Sequence, residues 1–348
     1  MNLSRLLAPD DGRDAMRTLA GLLLGAGFFM AWARKSGSLA NGWSDWGLFF
    51  TLLIITVFLY GVGLMGRLNT PTLRAWQSVY VVFGILLIPF TLFQFIEAVG
   101  GNAGSDLNVF WVLLVTAGAA GFAALVADVQ YGMLLAAIAV VISWSALWDK
   151  ILSNGIFTHY GIYRGLLVII GLILVAVALA VHRSDPLARL RPGGTPTPEP
   201  TRWLRANDVI TGAAIAGVAA GALTFTAFFA QASTFAVRVA SPSLLWDLEL
   251  LVASLLAVLW GARFGVRGPA YVGAIGLLIF IINVGSEVGV DFPESTIAGW
   301  PLILALVGAG LFVISLIPNV ETPDAEARLR GSGSGAGPSG AGTSPPAR

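Results

Sequence analysis

Ten long apolar stretches, separated by short polar breaks, run along the chain from residue 17 to residue 317. A hydrocarbon core of about 30 Å takes about 20 apolar residues as a helix, and the stretches have that length. They predict spans at 17–34, 46–66, 76–98, 107–127, 130–149, 163–182, 207–231, 244–262, 269–286 and 298–317. The break at Asp128 to Gln130 is the shortest. If it stays within the apolar layer, the fourth and fifth spans fuse and the count changes.

Composition agrees with the pattern. Apolar residues make up 56% of the 348 positions and charged residues 11%, less than half the charge of an ordinary soluble domain. Spanning helices tolerate this because they satisfy their own backbone hydrogen bonds and need only apolar side chains outside. The expected fold is therefore all-α, a polytopic membrane bundle of about ten transmembrane helices. Residues 1–182 are expected to form a membrane domain of six spans, 183–206 a linker, 207–318 a second membrane domain of four spans and 319–348 a disordered tail.

The basic residues give a threading. With the N-terminus inside, 15 of the 20 fall on the inner side, and only Arg34, Lys35, Lys150, Arg164 and Arg238 on the outer side. Basic loops stay cytoplasmic, so both termini are expected in the cytoplasm. Of the basic residues 18 are arginine, a bias associated with GC-rich bacterial genomes, and the bacterial inner membrane is the expected address. Ala31-Trp32-Ala33 mimics a signal-peptide cleavage site, but Arg34 and Lys35 follow it directly, so the first span is expected to remain as a signal anchor.

The linker carries Pro186, Pro192, Pro196, Pro198 and Pro200 among its arginines and reads as extended. Within it, Arg202-Trp203-Leu204-Arg205 has the make-up of an interfacial anchor. Tryptophans near the span ends, Trp76, Trp203 and Trp260 among them, fit a belt at the membrane surface. The tail from Gly331 onward is mostly Gly, Ser, Ala, Pro and Thr, with no apolar face to bury.

Spans seven to ten echo spans one to four. Gly21/Gly25 matches Gly217/Gly221, Leu59-Tyr60-Gly61 matches Leu259-Trp260-Gly261, Glu97 matches Glu287, and Trp111 matches Trp300. The halves would form a parallel repeat of two four-helix units about an axis along the membrane normal, with spans five and six as a two-helix insert. Membrane composition alone produces such matches too. The small pairs also mark faces where helix backbones approach closely, and Pro89 is expected to kink the third span.

Ionisable groups at membrane depth cost about 2.5–3.5 kcal/mol at a helix centre, so the few near the spans mark candidate chemistry. The outer side gathers nine acids, Asp45, Glu97, Asp106, Asp149, Asp247, Glu249, Glu287, Asp291 and Glu294. They form an acidic vestibule for a cation or proton, or simply solvated loops. Glu97 and Glu287, with Gln94 and Asn283 on the same helix faces, are the candidate binding residues, joined by Asp247 and Glu249. Asp149 and Lys150 are close enough in sequence to pair.

Other chemistries find no support. The chain has no cysteine, and His159 and His182, its only histidines, lack any metal-ligand spacing. No P-loop, H-E-x-x-H or dinucleotide fingerprint occurs, so no catalytic residue, metal or cofactor is expected. A net charge of +1 gives no basic face for nucleic acid. The expected function is permease-like movement of a small solute or ion. The alternative is a non-transporting scaffold or assembly factor, and third comes a membrane-embedded lipid-modifying enzyme.

Overall fold

A computed structural model of the chain describes residues 11–35, 44–69, 75–152, 159–184, 197–233 and 244–287. Among these residues the regular structure is entirely helical. The helices are α1 (Asp11–Lys35), α2 (Asp45–Asn69), α3 (Ala75–Ala98), α4 (Asp106–Ala127), α5 (Gly132–Leu152), α6 (Tyr160–Arg183), α7 (Glu199–Ser233), α8 (Leu244–Phe264) and α9 (Arg267–Glu287). Each overlaps one of the first nine apolar stretches. The tenth stretch, 298–317, the tail and most of the linker lie outside the described residues. Seven of the described helices are long and apolar enough to cross a membrane.

Three of the described polar breaks hold residues that stop a helix. Gly100 and Gly265 adopt φ of 80° and 65°. There the Gly101 and Val266 amides donate back to the Ile96 and Gly261 carbonyls at 2.8 and 3.0 Å. This left-handed cap satisfies carbonyls that the helix end would strand. At the break after α4 the same role falls to Asp128, at φ 57°, followed by Tyr131 at φ 63°. Aspartate is among the few non-glycine residues that enter this region readily. The break is therefore a true turn, and α4 and α5 are separate helices.

One boundary differs from expectation. The sequence pattern starts the seventh span at residue 207, after an extended linker, but α7 begins at Glu199. Pro198 and Pro200 do not prevent this, because the first helical turn has no intrahelical partner for its N–H groups and tolerates proline. The amides of Thr201 and Arg202 both donate to the Pro198 carbonyl at 3.1 Å. The Arg202–Arg205 segment is thus part of the helix's opening turns. Pro89 lies inside α3, which runs unbroken through it.

Helix contacts fix an up-and-down arrangement. Gly84 of α3 sits against Tyr60 of α2, and Gly63 of α2 against Val81 and Gln77 of α3. Rising numbers on one helix meet falling numbers on the other, so the pair is antiparallel. The same holds for α4 with α5, where Gly132 meets Ala124 and Gly121 meets Ala136, and for α8 with α9, where Gly261 meets Ala270 and Gly273 meets Ser254. By contrast Gly21 and Gly25 of α1 lie on Tyr80 and Phe83 of α3, in parallel. Helices α7 and α9 are parallel as well, with Gly268 on Thr211 and Gly276 on Val218. Gly212 of α7 rests on Ala137 of α5.

Alanine fills the core where backbones lie close. Ala124, Ala137, Ala178, Ala206, Ala213, Ala216 and Ala220 are buried where α4, α5, α6 and α7 meet. Small residues allow close approach, and dispersion contacts then hold helices that have no hydrophobic gain over lipid. Many large apolar side chains point outward, Ile54 at 67% exposed and Leu172 at 65% among them. In water that surface would drive aggregation; against acyl chains it is at home.

Candidate functional site

Given this threading, the C-termini of α1, α3, α5, α7 and α9 share one end of the bundle with the N-termini of α2, α4, α6 and α8. That end holds Asp45, Glu97, Asp106, Asp149, Asp247 and Glu249. Its most developed feature lies between α6, α7 and α8. Arg164, in the first turns of α6, is only 3% exposed, and Asp247, in the first turn of α8, 6%. The Arg164 guanidinium lies over the Trp246 ring, 5.1 Å from its centroid, a cation–π contact strengthened by desolvation.

Glu249 follows one short step along α8 and lies within electrostatic reach of Arg164. Its Oε2 is buried and finds no hydrogen-bond donor among the described residues. Gly221 of α7 makes the room: a Cβ there would stand 3.0 Å from Oε2. Deeper on α8, Ser254 is fully buried (0% exposed), and its Oγ also lacks a partner among the described residues. Beside the cluster, Tyr163 donates its hydroxyl to Asp149 Oδ1 at 2.6 Å. Lys150 is exposed, so Asp149 turns to Tyr163 rather than to its sequence neighbour.

The structure treats the expected site residues differently. Glu249 comes together with Arg164, and Asp247, next to the Trp246 that Arg164 covers, is buried at the start of the same helix. Gln94 is buried, its Nε2 3.4 Å from Asp45 Oδ1, while Glu97, three residues on, is exposed at the end of α3. Glu97 and Gln94 therefore do not share one site. Asn283 and Glu287 belong to the last turns of α9, and their side chains lie outside what is described. Arg164 is the residue that sequence reasoning missed as a site member. Its signal was present: it is an arginine inside the sixth apolar stretch.

The opposite end is organised by a second buried charge. Arg205 of α7 pairs through Nη2 with Asp128 Oδ1 and lies 3.4 Å from Thr197 Oγ1 through Nη1. Next to it, Asn207, almost fully buried, accepts from Trp260 Nε1 at 3.0 Å and donates to the Trp203 carbonyl at 3.0 Å. Trp203 also meets the His182 ring edge-on at 5.3 Å. Trp76 is buried as well, with the Arg17 guanidinium 5.4 Å from its ring. These tryptophans, expected as a belt at the membrane surface, pack between helix ends and tie them together.

No three His, Cys, Asp or Glu side chains among the described residues form a metal-binding group. The fold and this site define a class: an all-helical chain of multi-pass membrane character with ionisable side chains buried at both ends of its bundle. No protein-family model matches the chain, and no curated protein is significantly similar to it.

Proposed function

We propose that the chain is a permease-like membrane protein that moves a small solute or ion between its helices, with Glu249, Asp247 and Arg164 as its polar centre. The carrying observation is the buried Glu249 Oε2 that accepts no hydrogen bond among the described residues. An unsatisfied buried carboxylate oxygen is costly, and an ionisable residue within an apolar span marks function by default. An oxygen left open beside a buried arginine is suited to capture a proton or a small cation. Glu97 and Glu287 become outlying acids of the same end, with Gln94 and Asn283.

The experiment places the purified protein in lipid vesicles and follows protons, sodium and methylammonium across imposed gradients. Wild-type vesicles should pass at least one probe well above protein-free vesicles. Glu249→Gln keeps size and should lower that flux about tenfold, the equivalent of about 1.4 kcal/mol. A scaffold would pass none of the three. Flux that is absent, or unchanged in Glu249→Gln, overturns the reading.

The threading proposed is ten spans in a bacterial inner membrane, both termini cytoplasmic. The alternation of the described helices supports it, as does the gathering of Arg67, Arg183, Arg202, Arg205, Arg263 and Arg267 at one end. Reporter fusions after Leu190 and at the C-terminus should both read cytoplasmic. An external C-terminus would mean an odd number of spans.

The parallel repeat has mixed support. In each unit the first helix packs on the third, and the second on the third: α1 and α2 on α3, α7 and α8 on α9. The matched glycines differ, however. Gly21 and Gly25 face α3, the third helix of their unit, whereas Gly217 and Gly221 face Ala253 and Leu250 of α8, the second.

A further inference from the structure

At the arginine-rich end, the C-termini of α6 and α8 meet the first turns of α7 around a ring cluster. Trp203 lies 5.3 Å from His182, 5.1 Å from Phe264 and 6.1 Å from Trp260, centroid to centroid. Two nitrogens here, His182 Nδ1 and Arg202 Nε, are buried yet have no hydrogen-bond partner among the described residues. His182 meets this indole ring directly across the helix contact, and Arg202 precedes Trp203 in the first turns of α7. Buried polar atoms are nearly always satisfied, so two open nitrogens at this end point to an absent partner, which for the Arg202 Nε–H must be an acceptor.

The surroundings define that acceptor. Arg183, Arg263 and Arg267 are exposed at the same end, against the acids Glu199 and Asp208. Arg205 is engaged with Asp128. The balance is positive and favours an anion with several acceptor oxygens. Directly outward, the surface turns apolar: Leu179, Leu204 and Phe264 are all exposed large side chains. A free phosphate has no use for that flank, whereas an acyl chain does.

We propose that this end of the bundle binds the headgroup of an anionic phospholipid, with Arg202 and His182 facing the phosphate, Trp203 beside it, and Leu179, Leu204 and Phe264 along the acyl chains. A zwitterionic headgroup fits less well, because its ammonium would stand among the arginines. Indole rings favour this polar–apolar boundary. The site is independent of the transport reading, being at the other end of the bundle from Glu249.

The test uses the purified full chain with phosphatidylglycerol, phosphatidylcholine or inorganic phosphate, reading retained lipid by native mass spectrometry. Wild type should retain phosphatidylglycerol over phosphatidylcholine by about tenfold. Arg202→Gln and His182→Gln should each reduce that preference about fivefold, whereas Lys150→Gln, at the opposite end, should leave it intact. Melting in phosphatidylcholine reports whether each variant folds, and either histidine or arginine variant alone suffices if the other does not. Equal retention of the two lipids, or an undiminished preference in the folded variants, overturns the proposal. So does inorganic phosphate that displaces phosphatidylglycerol at millimolar concentration, which would make this an anion site without a lipid.

Discussion

Replacing Asp128 with alanine is expected to destabilise the protein by about 3–5 kcal/mol, because it removes the carboxylate paired with a buried arginine. Arg205 is 7% exposed at its side chain and Asp128 26%. Removing the carboxylate takes away the charge partner of a poorly solvated guanidinium, and the neutral Thr197 hydroxyl at 3.4 Å does not carry a compensating charge. Alanine at φ 57° adds about 1 kcal/mol of backbone strain. Asp128→Asn separates the two effects, since asparagine accepts the left-handed conformation and keeps one acceptor oxygen. It should therefore lose less than Asp128→Ala. Removing the other member, as in Arg205→Met, should cost less again, because the partly exposed carboxylate can recruit water. Unfolding of the purified variants in mixed detergent measures all three. If Asp128→Ala unfolds within about 0.5 kcal/mol of wild type, the scatter of surface substitutions, the pair does not hold the α4–α5 turn to α7.

That pair also shows what the sequence could and could not convey. The helices were legible from length and hydropathy alone, since a run of about 20 apolar residues has few other uses. The Asp128 break was legible as a break, but not as an ion pair. Residues 128 and 205 are 77 positions apart, and hydropathy carries no information about which helix ends meet. The end of the linker was not legible, for a local reason. Prolines at 198 and 200 read as breakers when counted, and as helix starters once their position in the first turn is known.

The candidate site follows the same logic. Depth along a span is readable, so Asp247 and Glu249 stand out in the sequence, and both lie in the buried cluster. Facing is not readable, because these helices are apolar nearly all round and offer no polar side to orient them. Gln94 and Glu97 share a helical face by spacing, yet one is buried and the other exposed. Arg164 counts in the threading simply as an outer base. Its burial depends on Trp246 and Glu249 from α8, more than eighty residues away. Of the glycines marked for close approach, Gly221 meets the Leu250 backbone, whereas Gly21 and Gly25 make room for the Tyr80 and Phe83 rings.

Gly273→Ala is expected to be the most damaging single-methyl addition in the bundle, at about 3 kcal/mol, the upper range for overpacking. A Cβ there would run into the carbonyl oxygen of Ser254 and stand 2.7 Å from the amide nitrogen of Val258. Both obstacles are backbone, so no side chain can swing aside and α9 must move off α8. The shift would also loosen Gly261 against Ala270 and Gly276 against Ser254, undoing a tight antiparallel contact of the second half. Gly118 supplies the control: it is exposed on α4, and a Cβ there meets nothing within 4 Å. Gly118→Ala should be neutral or stabilising by up to about 1 kcal/mol, the helix propensity gain over glycine. Because Ser254 and Glu249 lie on α8, the helix that α9 would pull away from, Gly273→Ala should also alter any flux that depends on Glu249. If the two glycine variants unfold alike, close backbone packing between α8 and α9 is not what fixes this half of the bundle.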